Sequence, residues 1–145
     1  MIKRILVVIF LVIISLHSTV VSAKDFKHVQ IFDPKQNKVV KAVQVNEDIN
    51  NMVVSWVNGI HGVYGKNDPV KDDGYAVKIP LDPSIKVQTK SLIAIVDEVY
   101  VIIPKSNPPF LMIFENKDKL TCFPFYGDID KLSKILDFNL KGKLG

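Results

Sequence analysis

The chain has 145 residues, 48% hydrophobic and 23% charged, with 19 Lys and Arg against 15 Asp and Glu and a single cysteine. That length suits one ordinary domain with a core of its own, and the lone Cys122 excludes an internal disulfide. Arg4 is the only arginine, so the guanidinium groups that read phosphates and base edges are missing, and the composition argues against nucleic-acid binding.

At the N-terminus, Lys3 and Arg4 precede an unbroken apolar run from Ile5 to Ile14, and a more polar stretch ends in Val21-Ser22-Ala23. This is the layout of a secretory signal peptide over residues 1–23, cleaved after Ala23. Ser15, His17, Ser18 and Thr19 interrupt the run before the roughly 18–20 apolar residues a spanning helix needs. An uncleaved anchor is the competing reading, and it is the only one that brings a membrane into contact with the protein. Lys24, not a lipid-accepting Cys, follows the cut. The remainder, 24–145, is expected to form a single globular α+β domain holding 17 basic and 15 acidic residues. An exported domain without disulfides fits a bacterial route better than a eukaryotic one.

Phe26 to Phe32 alternates as a strand, with Val29 and Ile31 apolar on the second face. As an edge strand it could accept an extended partner. Asp33-Pro34-Lys35-Gln36-Asn37 is turn chemistry, and Lys38 to Val45 completes a hairpin. Between Asn46 and Tyr64 the apolar residues Ile49, Met52, Val53, Trp56, Val57, Ile60, Val63 and Tyr64 recur at spacings of three and four, predicting an amphipathic helix over 46–64. Asn46 can cap it, and Glu47 and Asp48 place negative charge at the positive end of its dipole.

GKNDPVKDDG, 65–74, is a polar loop. It fails as an EF-hand, because counting back from Gly74 puts Pro69 and Lys71 where the first and third ligands belong. Strands are expected at Tyr75–Pro80, Ile85–Gln88 and Leu92–Ile103, the last either continuous or broken at Asp97-Glu98. Pro108 and Pro109 interrupt pairing. Phe110–Phe114 and Leu120–Phe125 then read as a hairpin, and Asp128–Phe138 as a short amphipathic helix. Lys141–Gly145 should fray. The predicted order is ββα-βββββ-α: a largely antiparallel sheet packed on the 46–64 helix, with the 128–138 helix terminal.

Catalytic signatures are missing from the sequence. It has no G-x-S-x-G elbow, P-loop, H-E-x-x-H or paired-Cys motif, and neither a metal nor another cofactor is expected. Cys122 reads as a small buried hydrophobe. The leading expectation is therefore an extracytoplasmic, non-catalytic binding protein that contacts a protein, a peptide or an envelope component. Trp56, His61 and Tyr64 at the end of the long helix are the candidate binding residues. Such a protein should expose a contiguous apolar or aromatic patch. The alternative is a small secreted hydrolase using His61 or one of the acidic pairs, Asp72-Asp73 or Asp97-Glu98. It requires His61 in a pocket within reach of a carboxylate, a hydroxyl or Cys122. Adjacent acids on an extended strand would point to opposite faces, which disfavours the pairs.

Overall fold

The computed structural model describes residues 27–63, 74–116 and 119–142. The expected signal peptide, Tyr64 and the 65–73 loop with its Asp72-Asp73 pair lie outside the described residues. In chain order the elements are β1 (His28–Asp33), β2 (Lys38–Gln44), α1 (Glu47–Asn58), β3 (Tyr75–Gln88), β4 (Ile93–Ile103), β5 (Phe110–Asn116), β6 (Lys119–Pro124) and α2 (Ile129–Leu136). The six strands form one sheet in the order β2-β1-β3-β4-β5-β6, antiparallel throughout. The fold is α+β, and the sheet, not the long helix, is its main body.

Local chemistry explains most boundaries. The β1–β2 turn closes because the buried Asp33 carboxylate accepts from the Lys35 N–H and from Gln36 Nε2, both at 2.9 Å. Asn37 adopts φ +50°, a conformation open to Asn at low cost. Asn46 caps α1 through its side-chain oxygen, 2.9 Å from the Ile49 nitrogen. Asp128 does the same for α2 with the Lys131 N–H at 3.1 Å.

Four expectations are corrected by the structure. The helix expected over 46–64 ends at Asn58, because Gly59 leaves helical geometry and its N–H closes on the Ser55 and Trp56 carbonyls. Ile60 lies past the end yet remains buried, so the apolar spacing ran on where the helix did not. The strands expected at 75–80 and 85–88 are one strand. Pro80 pairs with Glu98 and Ile85 with Val96, so Leu81–Ser84 bulge out opposite Asp97 instead of turning the chain. That leaves four strands after α1, not five. β1 is not an edge, since it lies between β2 and β3. Finally, the chain is still held at Lys141, the first residue expected to fray, while 143–145 lie outside the described residues. Leu140 is buried, and Lys141 pairs with Asp130 at 3.0 Å.

Both helices pack on one face of the sheet. Ile49, Val53 and Val57 of α1 and Ile129, Leu132 and Leu136 of α2 share a single core with Val29, Ile31, Val77, Ile79, Val99, Val101, Leu111, Ile113 and Phe123. Each helix therefore buries one stripe at three- and four-residue spacing. Lys41, on β2, donates to the Asp137 carbonyl at 2.7 Å and so ties the negative end of α2 to the far edge of the sheet. No helix among the described residues is long and apolar enough to cross a membrane.

Candidate binding surface

Of the three candidate binding residues, Trp56 and His61 lie among the described residues. The Trp56 indole packs edge-on against Phe125, ring centroids 4.7 Å apart, as part of the core margin. Gly127 lies against both rings: a Cβ there would come within 2.6 Å of the Phe125 ring and of Trp56 Nε1. His61 falls beyond the helix, is exposed, and makes no hydrogen bond or ion pair among the described residues. Tyr64 lies outside those residues.

A different surface stands out. Strand alternation sends every second side chain to the face away from both helices, and the registers align these side chains in rows. Phe32, Ala76, Ile102, Phe110 and Pro124 form one row across five strands, and every member is apolar. The next row runs Gln30, Lys78, Tyr100, Met112 and Cys122, polar on β1 and β3 but increasingly apolar toward β6. Beyond it, Phe114 faces Leu120 directly. Ile102, Phe110 and Met112 form a second apolar cluster with Ala76, Tyr100 and Cys122, all of them strand residues. The Tyr100 and Phe114 rings meet edge to face at 6.1 Å. At the margin, Phe114 is 45% and Leu120 40% exposed, and along β4 Ile93 and Ile95 are 76% and 71% exposed.

Five of the seven exposed large hydrophobic residues described (Val39, Ile93, Ile95, Phe114 and Leu120) lie on this face. The open face of an antiparallel sheet is ordinarily its polar one. Sequence reasoning missed the surface because its strands read as evenly apolar, and an even run does not say which side chains share a face or which of them stay exposed. The register settles that.

The polar half of the face is a hollow of about 330 Å³ lined by Lys27, His28, Gln30, Lys78, Pro80, Asp97 and Glu98. Asp97 and Glu98 both face it, because the strand alternation breaks opposite the β3 bulge and leaves Val96 and Val99 together in the core. The expectation that these neighbours point apart is overturned. Glu98 is nevertheless committed. Its Oε1 sits 3.2 Å from Lys78 Nζ at an angle that leaves that oxygen without a hydrogen bond. Burial, with the Glu98 hydrogen bond and charge behind it, pushes the Tyr100 phenol up to about 12. Burial likewise raises the Cys122 thiol, the reverse of what a nucleophile needs. No group of three His, Cys, Asp or Glu among the described residues could hold a metal ion.

The two edges of the sheet differ. β2 carries Lys38 and Lys41, the usual guard against strand addition. In β6 the stretch Leu120-Thr121-Cys122-Phe123 is uncharged, and no described strand pairs with its outer side. No protein-family model, no curated protein and no solved structure matches the chain.

Proposed function

We propose that the protein is exported and works by contact, taking an extended, apolar segment of another polypeptide along β6 and onto the adjoining apolar half of the open sheet face. The observation that carries this reading is the Phe114–Leu120 pair across β5 and β6, 45% and 40% exposed on the face away from both helices and beside the uncharged outer side of β6. A strand added at β6 would continue the existing rows, so its main chain supplies hydrogen bonds and its alternate side chains meet Leu120 and Cys122. Burying what remains exposed on Phe114 and Leu120 is worth on the order of 1 kcal/mol each. Export rests on the Lys3-Arg4 pair and the Ile5–Ile14 run.

The test is a photoreactive side chain at Leu120, in cells, compared with one at Val39, which is about equally exposed but sits on the lysine-guarded edge. Adducts to a defined partner from Leu120, lost when Phe114 is changed to Asp, support the reading. Equal adducts from both positions, or none from Leu120, contradict it. Intact mass of the exported form addresses the first half: a chain beginning at Lys24 is expected, and one retaining residues 1–23 would favour the tethered alternative.

A further inference from the structure

A second cleft opens at the end of the sheet where β1, β3 and β4 meet the segment after α2. It has a volume of about 730 Å³, inside the roughly 300–1,000 Å³ range of small-molecule sites. Its floor is apolar: Tyr75, Ile103, Pro109 and Ile129 line it. Tyr75 is held edge-on against Phe138 at 5.0 Å, so the floor is fixed in shape. The rim carries Lys35, Lys105 and Lys141.

Among the described residues the one carboxylate lining it, Asp33, is buried and already accepts two hydrogen bonds from its own turn. Lys141 is shared with Asp130 at 3.0 Å, in a pair more than half exposed on both sides. Exposed pairs of this kind are worth little, so a ligand anion can compete for the ammonium. One wall depends on backbone contact. Gly74 has φ +85°, and a Cβ there would overlap the Ile103 carbonyl.

From this arrangement we infer that the cleft binds a small amphiphilic anion, its apolar body on Tyr75, Pro109 and Ile129 and its carboxylate or phosphate between Lys35 and Lys141. The site is independent of the β6 surface and stands on separate residues. Hydrogen bonds to a charged group are among the stronger polar contacts, so removing both ammoniums is expected to cost about tenfold in affinity.

The experiment is an amide-resolved NMR titration of the purified protein with sodium decanoate, kept below micelle formation, alongside 1-decanol and inorganic phosphate. Expected are saturable shifts centred on Lys35, Tyr75, Ile103, Asn107 and Ile129, decanol at least tenfold weaker than decanoate, and phosphate weaker than decanoate as well. Tight binding of phosphate alone at the same residues would instead assign the site to a free anion and overturn the amphiphile. Lys35→Ala with Lys141→Ala should weaken decanoate about tenfold, and the Lys→Arg pair should restore it. Shifts confined to Met112, Phe114 and Leu120, equal binding of decanoate and decanol, or no saturable binding would each overturn the inference. The comparison of the three probes on the unaltered protein decides the matter even where a variant fails to fold.

Discussion

The two faces of the sheet are built from the same kinds of residue and arrive at different ends. On one face, Val77, Val101, Leu111 and Phe123 are closed over by α1 and α2 and reach zero or near-zero exposure. On the other, Ile102, Phe110 and Met112 form a cluster with Ala76, Tyr100 and Cys122 to which neither helix contributes, and Phe114, against the Tyr100 ring at its margin, stays 45% exposed. Composition alone does not separate the two. The difference lies in which face the chain crosses when it leaves β2 and β6, since both helices pass over the same side. Ile102, Phe110 and Met112 are themselves buried, so the apolar surface left on this face is its margin at Phe114 and Leu120, the part that the proposed contact would use.

If the helix-covered face is the folding core, Phe123→Ala should be the most damaging single substitution, costing about 3–5 kcal/mol by urea unfolding. Gly127→Ala sharpens the same side of the comparison. Its methyl must displace the Trp56–Phe125 contact, so a loss of about 1–3 kcal/mol is expected from overpacking, with a change in tryptophan fluorescence. Asn46→Ala removes the α1 cap and should cost about 1 kcal/mol.

On the open face, Tyr100 reports on its own surroundings. Its folded pKa lies above the ordinary 10, so the phenol contributes nothing to the pH dependence below pH 10. Stability from this group falls as pH rises from 10 toward about 12, because the unfolded chain loses the proton first. Absorbance at 295 nm should show one tyrosine titrating late, and Tyr100→Phe should remove that phase. Smallest of all, Ile93→Ser should change stability by no more than about 0.5 kcal/mol despite deleting a large apolar side chain.

Much of the fold could be read from residue order. The Asn46 and Asp128 caps, the Asp33 turn, the Phe110–Phe125 hairpin and the proline break at 108–109 are local chemistry, and local chemistry is written in adjacent residues. What escaped was set by pairing between distant ones. Asp82-Pro83 looks like a turn until Ile85 is seen to rejoin Val96. β1 looks like an edge until Gln30 is seen opposite Lys78. Ile60 prolongs a helical spacing from a turn that faces the same core. Trp56 and His61 stand out in the sequence by chemical character; in the structure Trp56 packs at the core margin and His61 lies past the end of α1. The apolar rows and the lysine-rimmed cleft exist only after the registers have aligned residues far apart in the chain.

The central claim is that Phe114 and Leu120 are there to be touched, not to hold the molecule together. Urea unfolding of the Phe114→Asp, Leu120→Asp double variant tests it most directly. The expected result is a folded protein that has lost no more than about 2 kcal/mol, since both side chains are already 40% or more exposed. A double variant that does not fold would place these residues in the core and contradict the claim.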